Sequence, residues 1–423
     1  MGKIESRLRY SIVIFSLIII LRDVVGFPIP DVGILIVSAM IMTFLSYVEL
    51  VYFLFFLFPL TCGIPGYIML VGYILLFFKR KNISFLQIIP VLLIFIIDIF
   101  DEALSNDPGT LTGILSFISF CGIFFFFLND KKRINYDIPQ MIWFFGFGTA
   151  FTFFVIFYNM LQQYNIYYIL AGMARSGALG VEGNDVAEMK GHLAMNSNTI
   201  AYYAVCCISS VLALKNNYKA KFMVPLLCFI LACGLLTLSR TFILCTFLIG
   251  IYYYMISSKA ERKKIIISSI LGLIVFFGLY YDKIVLLSAG FVDRANDANM
   301  STAGGRTELF YLYNEAWLSS LWYIFLGVGV VNHFPELGVY NAMHCGLQQI
   351  WVCLGVTGFL IFFYEIICFF KKYKNRNMIL NSIPFVITLI FDQSIQFLNP
   401  YPLMLPIMVA LLVYKEGWVI RHK

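Results

Sequence analysis

Residues 222–257 read FMVPLLCFILACGLLTLSRTFILCTFLIGIYYYMIS, two apolar blocks that meet at the single charged residue Arg240. Each block has about 18 residues, which is close to the length that a helix needs to cross the hydrocarbon core of a bilayer. Similar blocks recur along all 423 residues, of which 61% are hydrophobic and only 13% charged. Soluble domains are roughly half apolar and a quarter charged. The sequence therefore predicts an all-α polytopic membrane protein and excludes a soluble domain, a β-barrel and a disordered chain.

The apolar blocks also give the number of spans. We count fourteen in a single integral membrane domain over residues 1–423, and twelve spans with a re-entrant hairpin is the alternative, because the second to fourth blocks are short for a bilayer. The predicted spans are residues 10–27, 32–47, 48–60, 65–78, 85–102, 111–128, 139–158, 196–214, 222–239, 240–257, 265–281, 347–370, 378–395 and 400–415.

The positions of the basic residues orient the chain. Lys and Arg outside the spans collect on the cytoplasmic side of a membrane, and an even number of predicted spans separates each of seven basic clusters from the next. We therefore expect a multi-pass protein with both termini in the cytoplasm. The net charge of +7 follows from this topology and favours contact with anionic membrane lipids. It does not indicate a nucleic-acid partner.

Two long connections, residues 159–195 and 282–346, form the first outer loop and the large outer loop of this topology. Function in a polytopic scaffold usually lies in such loops. The large loop contains an apolar stretch from Leu321 to Val331, which is too short to cross the bilayer and is expected to lie in the interface or to re-enter the membrane. Candidate chemistry is therefore sought on the outer face.

Two arginines on that face need a reason for their position. Arg240 lies at a joint of two or three residues between predicted spans, where it is either a cation at helix-terminal carbonyls or a ligand for an anion. Arg306 follows Gly304 and Gly305 and opens a predicted helix, an arrangement that presents free N–H groups beside a guanidinium, as a phosphate site requires. Its alternative is a surface arginine paired with Glu308. Together the two arginines could grip a diphosphate.

His344 lies where the large outer loop enters the next span. An imidazole at this depth can stay neutral at physiological pH and accept a proton from a sugar hydroxyl, although a structural histidine is the simpler alternative. Acidic residues near the outer ends of two spans are alternatives to His344 as the base, or they neutralise the charge of the arginines. These acids are Asp98, Asp101, Glu102 and Asp392.

The sequence predicts neither a metal nor a cofactor. Eight of the ten cysteines lie in apolar spans, where Cys behaves as a small hydrophobe, and no CxxC or paired Cys/His spacing is present. The outer loops have no D-x-D motif that would bind a divalent cation. No glycine-rich phosphate loop follows a strand, so ATP is not the expected source of energy.

Several short motifs occur in a characteristic order. They are Ser239-Arg240-Thr241, Gly305-Arg306-Thr307-Glu308-Leu309, Gly327-Val328-Gly329, and His344 before Gly355-Val356-Thr357-Gly358. In order and predicted topology they resemble the O-antigen polymerase and O-antigen ligase superfamily, mainly over residues 195–370. Asn196-Ser197-Asn198-Thr199 is similar to the asparagine-containing entry to a span in that family, whereas Cys345 follows the histidine where the family commonly has Asn.

The resemblance implies a GT-C-like glycosyltransferase of a bacterial cytoplasmic membrane, which takes an undecaprenyl-diphosphate-linked glycan as donor on the outer face. Arg240 and Arg306 would bind the diphosphate and stabilise its departure, and His344 would be the general base that activates the acceptor hydroxyl. No metal would be needed. The secondary candidates for binding the glycan or the donor lipid are Arg175, Lys190 and Asn198.

We favour a polymerase, which joins one lipid-linked repeat unit to another, because no residue run marks a site for lipid A core. The first alternative is an O-antigen ligase, which transfers the glycan to lipid A core. The second is a transporter or flippase without bond chemistry, against which stand the asymmetry of the outer loops and the scarcity of charge at mid-membrane. A chain-length regulator and a flippase are the expected protein partners.

Overall fold

The computed structural model describes residues 6–80, 85–104, 111–130, 136–163, 193–237, 239–263, 266–267, 306–330, 343, 345–374, 377–393 and 404–422. Over these ranges the chain is helical and contains no β-strand. The side chains of a few helix-terminal residues, Arg306 among them, fall outside this description. The predicted all-α class is confirmed for the described residues.

Fifteen α-helices in these ranges are numbered here in chain order. They are α1 (Ser6–Asp23), α2 (Asp31–Phe44), α3 (Tyr47–Leu57), α4 (Ile68–Lys79), α5 (Ile89–Leu104), α6 (Leu111–Leu128), α7 (Ile138–Gln163), α8 (Ser197–Ala213), α9 (Ala220–Leu236), α10 (Arg240–Ile256), α11 (Arg306–Leu318), α12 (Leu321–Leu326), α13 (Gly346–Lys372), α14 (Met378–Asp392) and α15 (Met404–His422). Short 3₁₀ turns span Phe58–Cys62, Phe85–Gln87 and Lys215–Asn217.

Thirteen of the fourteen predicted spans coincide with a helix. The remaining one, residues 265–281, lies outside the described residues apart from two positions. Ile138–Gln162 and Gly346–Lys372 are long and apolar enough to cross a membrane, and nine further apolar helices are shorter. The helix positions therefore agree with the sequence, while the number of membrane crossings and the GT-C-like architecture stay predictions.

Four helices have long buried stretches and form the centre of the bundle. On α3, α6, α8 and α15 the residues 49–57, 119–128, 199–211 and 404–414 are buried without interruption. The helices that pack on these four position the site described below.

Helix α13 is broken at Gly355, where φ is 63° and ψ is −173°. The segment after α12 fills the break: Val328 N donates to Val352 O at 3.1 Å, and Gly329 N donates to Cys353 O at 3.0 Å. The next amide, Val330 N, donates to the buried carboxylate of Asp98 on α5 at 3.2 Å. Two consecutive backbone amides thus satisfy carbonyls at the break in α13, and the third fastens the segment to α5.

Two glycines permit this contact. A Cβ at Gly327 would overlap the carbonyl of Cys353, and one at Gly355 would overlap the backbone of Phe325. Both glycines have positive φ, 92° and 63°, a region that side chains disfavour. The predicted short apolar stretch from Leu321 is therefore a six-residue helix with a docked continuation, which fits the expectation that it is too short to cross.

Candidate functional site

Arg240 is the first residue of α10, as expected for a joint between two helices. Ser239 caps the helix, and its Oγ accepts a hydrogen bond from Phe242 N at 3.4 Å. The Arg240 side chain is exposed, and in the part of the chain that the structure describes no hydrogen bond or ion pair involves it. The guanidinium is therefore available to an external anion.

Arg22, in the last turn of α1, has a different environment. Its side chain is 1% exposed and pairs with Asp23 at 2.9 Å. It also donates to Gly63 O at 2.7 Å. Arg22 is a structural cation that joins α1 to the turn before α4, and this contrast sets Arg240 apart.

The packing of α8, α9 and α10 places Arg240 at the same end of the bundle as Asp392. Tyr202 of α8 and Phe391 of α14 have ring centroids 5.7 Å apart. Cys206, one turn later on α8, contacts Thr388, about one turn earlier on α14. The two helices are therefore antiparallel. The hairpin between α9 and α10, in which Phe242 packs against Gly234, makes α10 parallel to α8. The starts of α8 and α10 therefore lie where α14 ends.

The start of α13 lies at this same end. The Asp392 carboxylate occupies the space that a Cβ on Gly346 would need, and Cys345 Sγ lies 3.2 Å from Gln393 Oε1. Burial raises the pKa of the Cys345 thiol above its ordinary value, so the thiol is protonated and donates this bond. The residue that follows His344 thus contacts the end of α14.

Asp392 is buried at this end, and one of its oxygens lacks a hydrogen-bond donor among the described residues. It is 1% exposed, Oδ2 accepts from Gln393 Nε2 at 3.3 Å, and Oδ1 has no hydrogen-bond partner among the described residues. A buried carboxylate oxygen without a donor is costly and is rarely kept without a purpose. The sequence already showed Asp392 near the end of a span, but it could not show the contact with the start of α13.

The contacts of α11 with α13 place the backbone of Arg306 at the same level of the bundle as the start of α13. Gln348 Nε2 donates to Phe310 O at 2.7 Å, and Trp351 Nε1 donates to Asn314 Oδ1 at 3.1 Å. The two contacts advance in the same direction along both helices, so α11 runs parallel to the first half of α13. Since a helix rises about 1.5 Å per residue, the backbone of Arg306 lies at the level of Cys345.

The start of α8 also lies at the end of the bundle that carries Arg240. Asn196 caps it, and its Oδ1 accepts from Thr199 N at 2.9 Å. Asn198, a predicted substrate-binding residue, is half-buried in the first turn. Tyr202 is fully buried one turn further along and lies within electrostatic range of Asp392.

We call this region the Arg240 end: the starts of α8, α10, α11 and α13 and the end of α14. Of the predicted site residues, Arg240, Asn198 and the backbone of Arg306 lie at this one end of the bundle. His344, Arg175 and Lys190 lie outside the described residues, as does the side chain of Arg306. Four helices begin at this end, and the first turn of a helix presents backbone N–H groups that favour an anion.

The other predicted acids do not belong to this end as far as they are described. Asp98 accepts the hydrogen bond from Val330 N and so fastens the segment after α12. The side chains of Asp101 and Glu102 lie outside the described residues. Among the residues that the structure describes, no group of three or more His, Cys, Asp or Glu side chains is arranged to hold a metal ion.

Comparison with known proteins adds no family to this geometry. No protein-family model matches the chain, and a search of the curated proteins finds no match. The function therefore has to be argued from the Arg240 end itself.

Proposed function

We propose that the chain is a multi-pass protein of a bacterial cytoplasmic membrane. The perimeter of the bundle supports this proposal: large apolar side chains on several helices are more than half exposed, among them Phe44 at 76%, Phe78 at 82% and Phe247 at 66%. So much exposed apolar surface is unfavourable in water and favourable in lipid. The basic clusters put the Arg240 end on the outer face and both termini in the cytoplasm.

At the Arg240 end we propose the polymerisation of undecaprenyl-diphosphate-linked repeat units into O-antigen or a related surface polysaccharide. The observation that carries the proposal is that four helices begin at the end of the bundle where Arg240 is exposed and has no hydrogen-bond or ion-pair partner among the described residues. A departing diphosphate develops negative charge as the glycosidic bond breaks, and preorganised cations and N–H groups stabilise that charge. A guanidinium also matches a phosphate with two parallel hydrogen bonds.

The transfer step follows from these groups. The hydroxyl oxygen of the acceptor, a second lipid-linked repeat unit, attacks the anomeric carbon of the donor, and its proton passes to His344. The bond between that carbon and the diphosphate oxygen breaks, and the undecaprenyl diphosphate keeps the electron pair. Arg240 and Arg306 stabilise the leaving group, so that no metal is needed, and attack from the opposite side inverts the anomeric centre.

Asp392 has a supporting role in this scheme. Its carboxylate lies beside Gly346, two residues from His344 in sequence. A negative charge there stabilises the imidazolium that forms when His344 takes the proton. Asn198, Arg175 and Lys190 are assigned to binding the glycan or the donor lipid.

A ligase that delivers the glycan to lipid A core needs the same donor site, so the Arg240 end serves both reactions. We favour the polymerase because no residue run marks a site for lipid A core. A transporter or flippase, the remaining alternative, has no use for a general base. A chain-length regulator and a flippase are the proposed protein partners.

Replacement of His344 by alanine tests this function in cells that depend on the chain for polymer. His422→Ala, in the C-terminal segment, is the matched control. We expect His344→Ala to lose the glycan ladder on a gel while the protein stays in the membrane at the wild-type level, and we expect His422→Ala to keep the ladder. A full ladder from His344→Ala would exclude the histidine as the base and favour a transporter.

A further inference from the structure

A second group of charged residues lies around Asp130, which is two residues beyond the end of α6 and is 2% exposed. Arg80, after the end of α4, forms an ion pair with its Oδ1. Tyr136, before α7, donates to its Oδ2 at 2.6 Å. Burial and the neighbouring carboxylate raise the pKa of Tyr136, so the phenol stays protonated and donates.

The backbone of Asp130 is held from α13. Lys372 Nζ and Tyr373 Oη each donate to Asp130 O at 2.8 Å. The ends of α4, α6 and α13 and the start of α7 therefore meet at one residue. We call this region the Asp130 end, and the basic clusters of the sequence place it on the cytoplasmic face.

Lys415 on α15 lies beneath this network. It is 0% exposed, and its Nζ lies 5.2 Å from the ring centroid of Tyr373 and 5.9 Å from that of Tyr136. Ring faces attract a cation but do not accept its hydrogen bonds in the way that an oxygen does. Neither Lys415 Nζ nor Arg80 Nη1 has a hydrogen-bond partner among the described residues. Two buried cationic donors thus lack an acceptor, which is costly.

The charges at this end do not balance. The carboxylates are Asp130, Asp137, Glu365 and Glu416, and Glu365 already accepts from Asn129 at 2.7 Å. The described cations are Arg80, Lys371, Lys372, Lys374 and Lys415. In sequence Asp130 is followed directly by Lys131, Lys132 and Arg133. The excess of positive charge, with two donors unfilled, favours an oxyanion.

We propose that the Asp130 end binds the phosphate group of an anionic phospholipid from the cytoplasmic leaflet. Phosphate oxygens supply an acceptor for the partly exposed Arg80, and their negative charge offsets that of the buried Lys415. The exposed Lys371 and Lys374 form a rim at headgroup level. Basic sites between helices on the cytoplasmic side are suited to such headgroups. This inference goes beyond the proposed function: it depends on the orientation in the bilayer but not on glycosyl transfer.

The test uses the purified full chain in nanodiscs of phosphatidylcholine alone or with phosphatidylglycerol. Thermal unfolding and native mass spectrometry are compared for wild type, Arg80→Gln/Lys415→Met and the control Lys219→Gln/Lys221→Gln, which removes two exposed charges from another predicted cytoplasmic cluster. We expect phosphatidylglycerol to raise the melting temperature of wild type and control by several degrees and to remain bound as one molecule. The Arg80/Lys415 variant should lose both effects.

A further arm adds millimolar inorganic phosphate to phosphatidylcholine nanodiscs. A full rise in melting temperature from phosphate alone would show that the site takes a soluble anion and would overturn the lipid as its source. An equal effect of phosphatidylglycerol on all three proteins would overturn the site. If the double variant does not insert into nanodiscs, the wild type alone still tests the proposal. Failure of the wild type to retain phosphatidylglycerol in native mass spectrometry would contradict it.

The two proposals fail separately in this design. Arg240→Lys should lose glycan transfer and keep the response to phosphatidylglycerol, because Arg240 lies at the opposite end of the bundle. Loss of the lipid response with normal glycan transfer would leave the proposed function intact.

Discussion

Arg240 is the residue on which the proposed chemistry depends most. Arg240→Lys keeps the charge but removes the planar fork that binds a phosphate through two hydrogen bonds, so we expect turnover to fall by about 10²–10³-fold. Arg262→Lys is the matched control, because Arg262 follows the other end of α10, where it donates to Tyr254 O at 3.0 Å. Glycan ladders from both variants, normalised to protein in the membrane, measure the difference. Equal ladders would contradict the diphosphate role.

Asp392 gives a prediction in which activity and stability change in opposite directions. Asp392→Asn keeps the shape of this buried side chain, one of whose oxygens lacks a donor among the described residues, and removes its ability to ionise. We expect the melting temperature in detergent to stay or rise, and glycan transfer to fall by roughly tenfold or more, because the imidazolium loses its counter-charge. A lower melting temperature with unchanged transfer would show that the carboxylate is only structural.

At this scale the sequence predicted the place of Arg240 but not its neighbours. A charged residue between two apolar blocks is a local signal, and the structure confirms the helix joint there. The contact of Asp392 with Gly346 joins residues 46 positions apart, and nothing in either local sequence specifies it. The side chains of His344 and Arg306 lie outside the described residues, so their meeting stays a prediction.

Among the elements, the break in α13 is the feature that sets the position of α11. The segment after α12 docks in the break through Val328, Gly329 and Val330, and α11 precedes it in the chain. Hydropathy predicted that the stretch from Leu321 is too short to cross. It did not predict the break, because a glycine inside an apolar run is compatible with both a continuous and a kinked helix. The backbone segment that docks at Gly355 determines which of the two forms.

Gly355→Ala tests this docking. Alanine at a positive φ, in contact with the backbone of Phe325, should destabilise the protein by roughly 1–3 kcal/mol. Gly250→Ala is the control, because that glycine lies inside α10 with nothing within 4 Å of its added Cβ. There the change should be neutral or stabilising by about 0.4–1 kcal/mol. Melting temperatures in detergent compare the two, and an equal effect would mean that the break does not need its glycine.

For the whole molecule, the orientation in the bilayer is the prediction on which both ends depend. The helix positions could be derived from the sequence because the length of an apolar block is a local property. The assembly of the Asp130 end could not be derived, because it joins residues as distant in sequence as Asp130 and Tyr373.

Reporter fusions measure the orientation of the chain in the bilayer. We expect cytoplasmic activity after Arg80 and in the 259–264 segment, and external activity in the 282–346 loop. A reporter in that loop with cytoplasmic activity would invert the topology.

Reconstitution tests the central claim most directly. Purified protein in liposomes is supplied with one lipid-linked repeat unit and no other substrate, with and without a chelator, and the products are separated on a gel. Wild type should form a ladder of longer glycans in both conditions, and Arg240→Lys should form none. Absence of any longer glycan from the wild type, or an equal ladder from Arg240→Lys, would contradict the claim that the Arg240 end transfers glycan from a diphosphate.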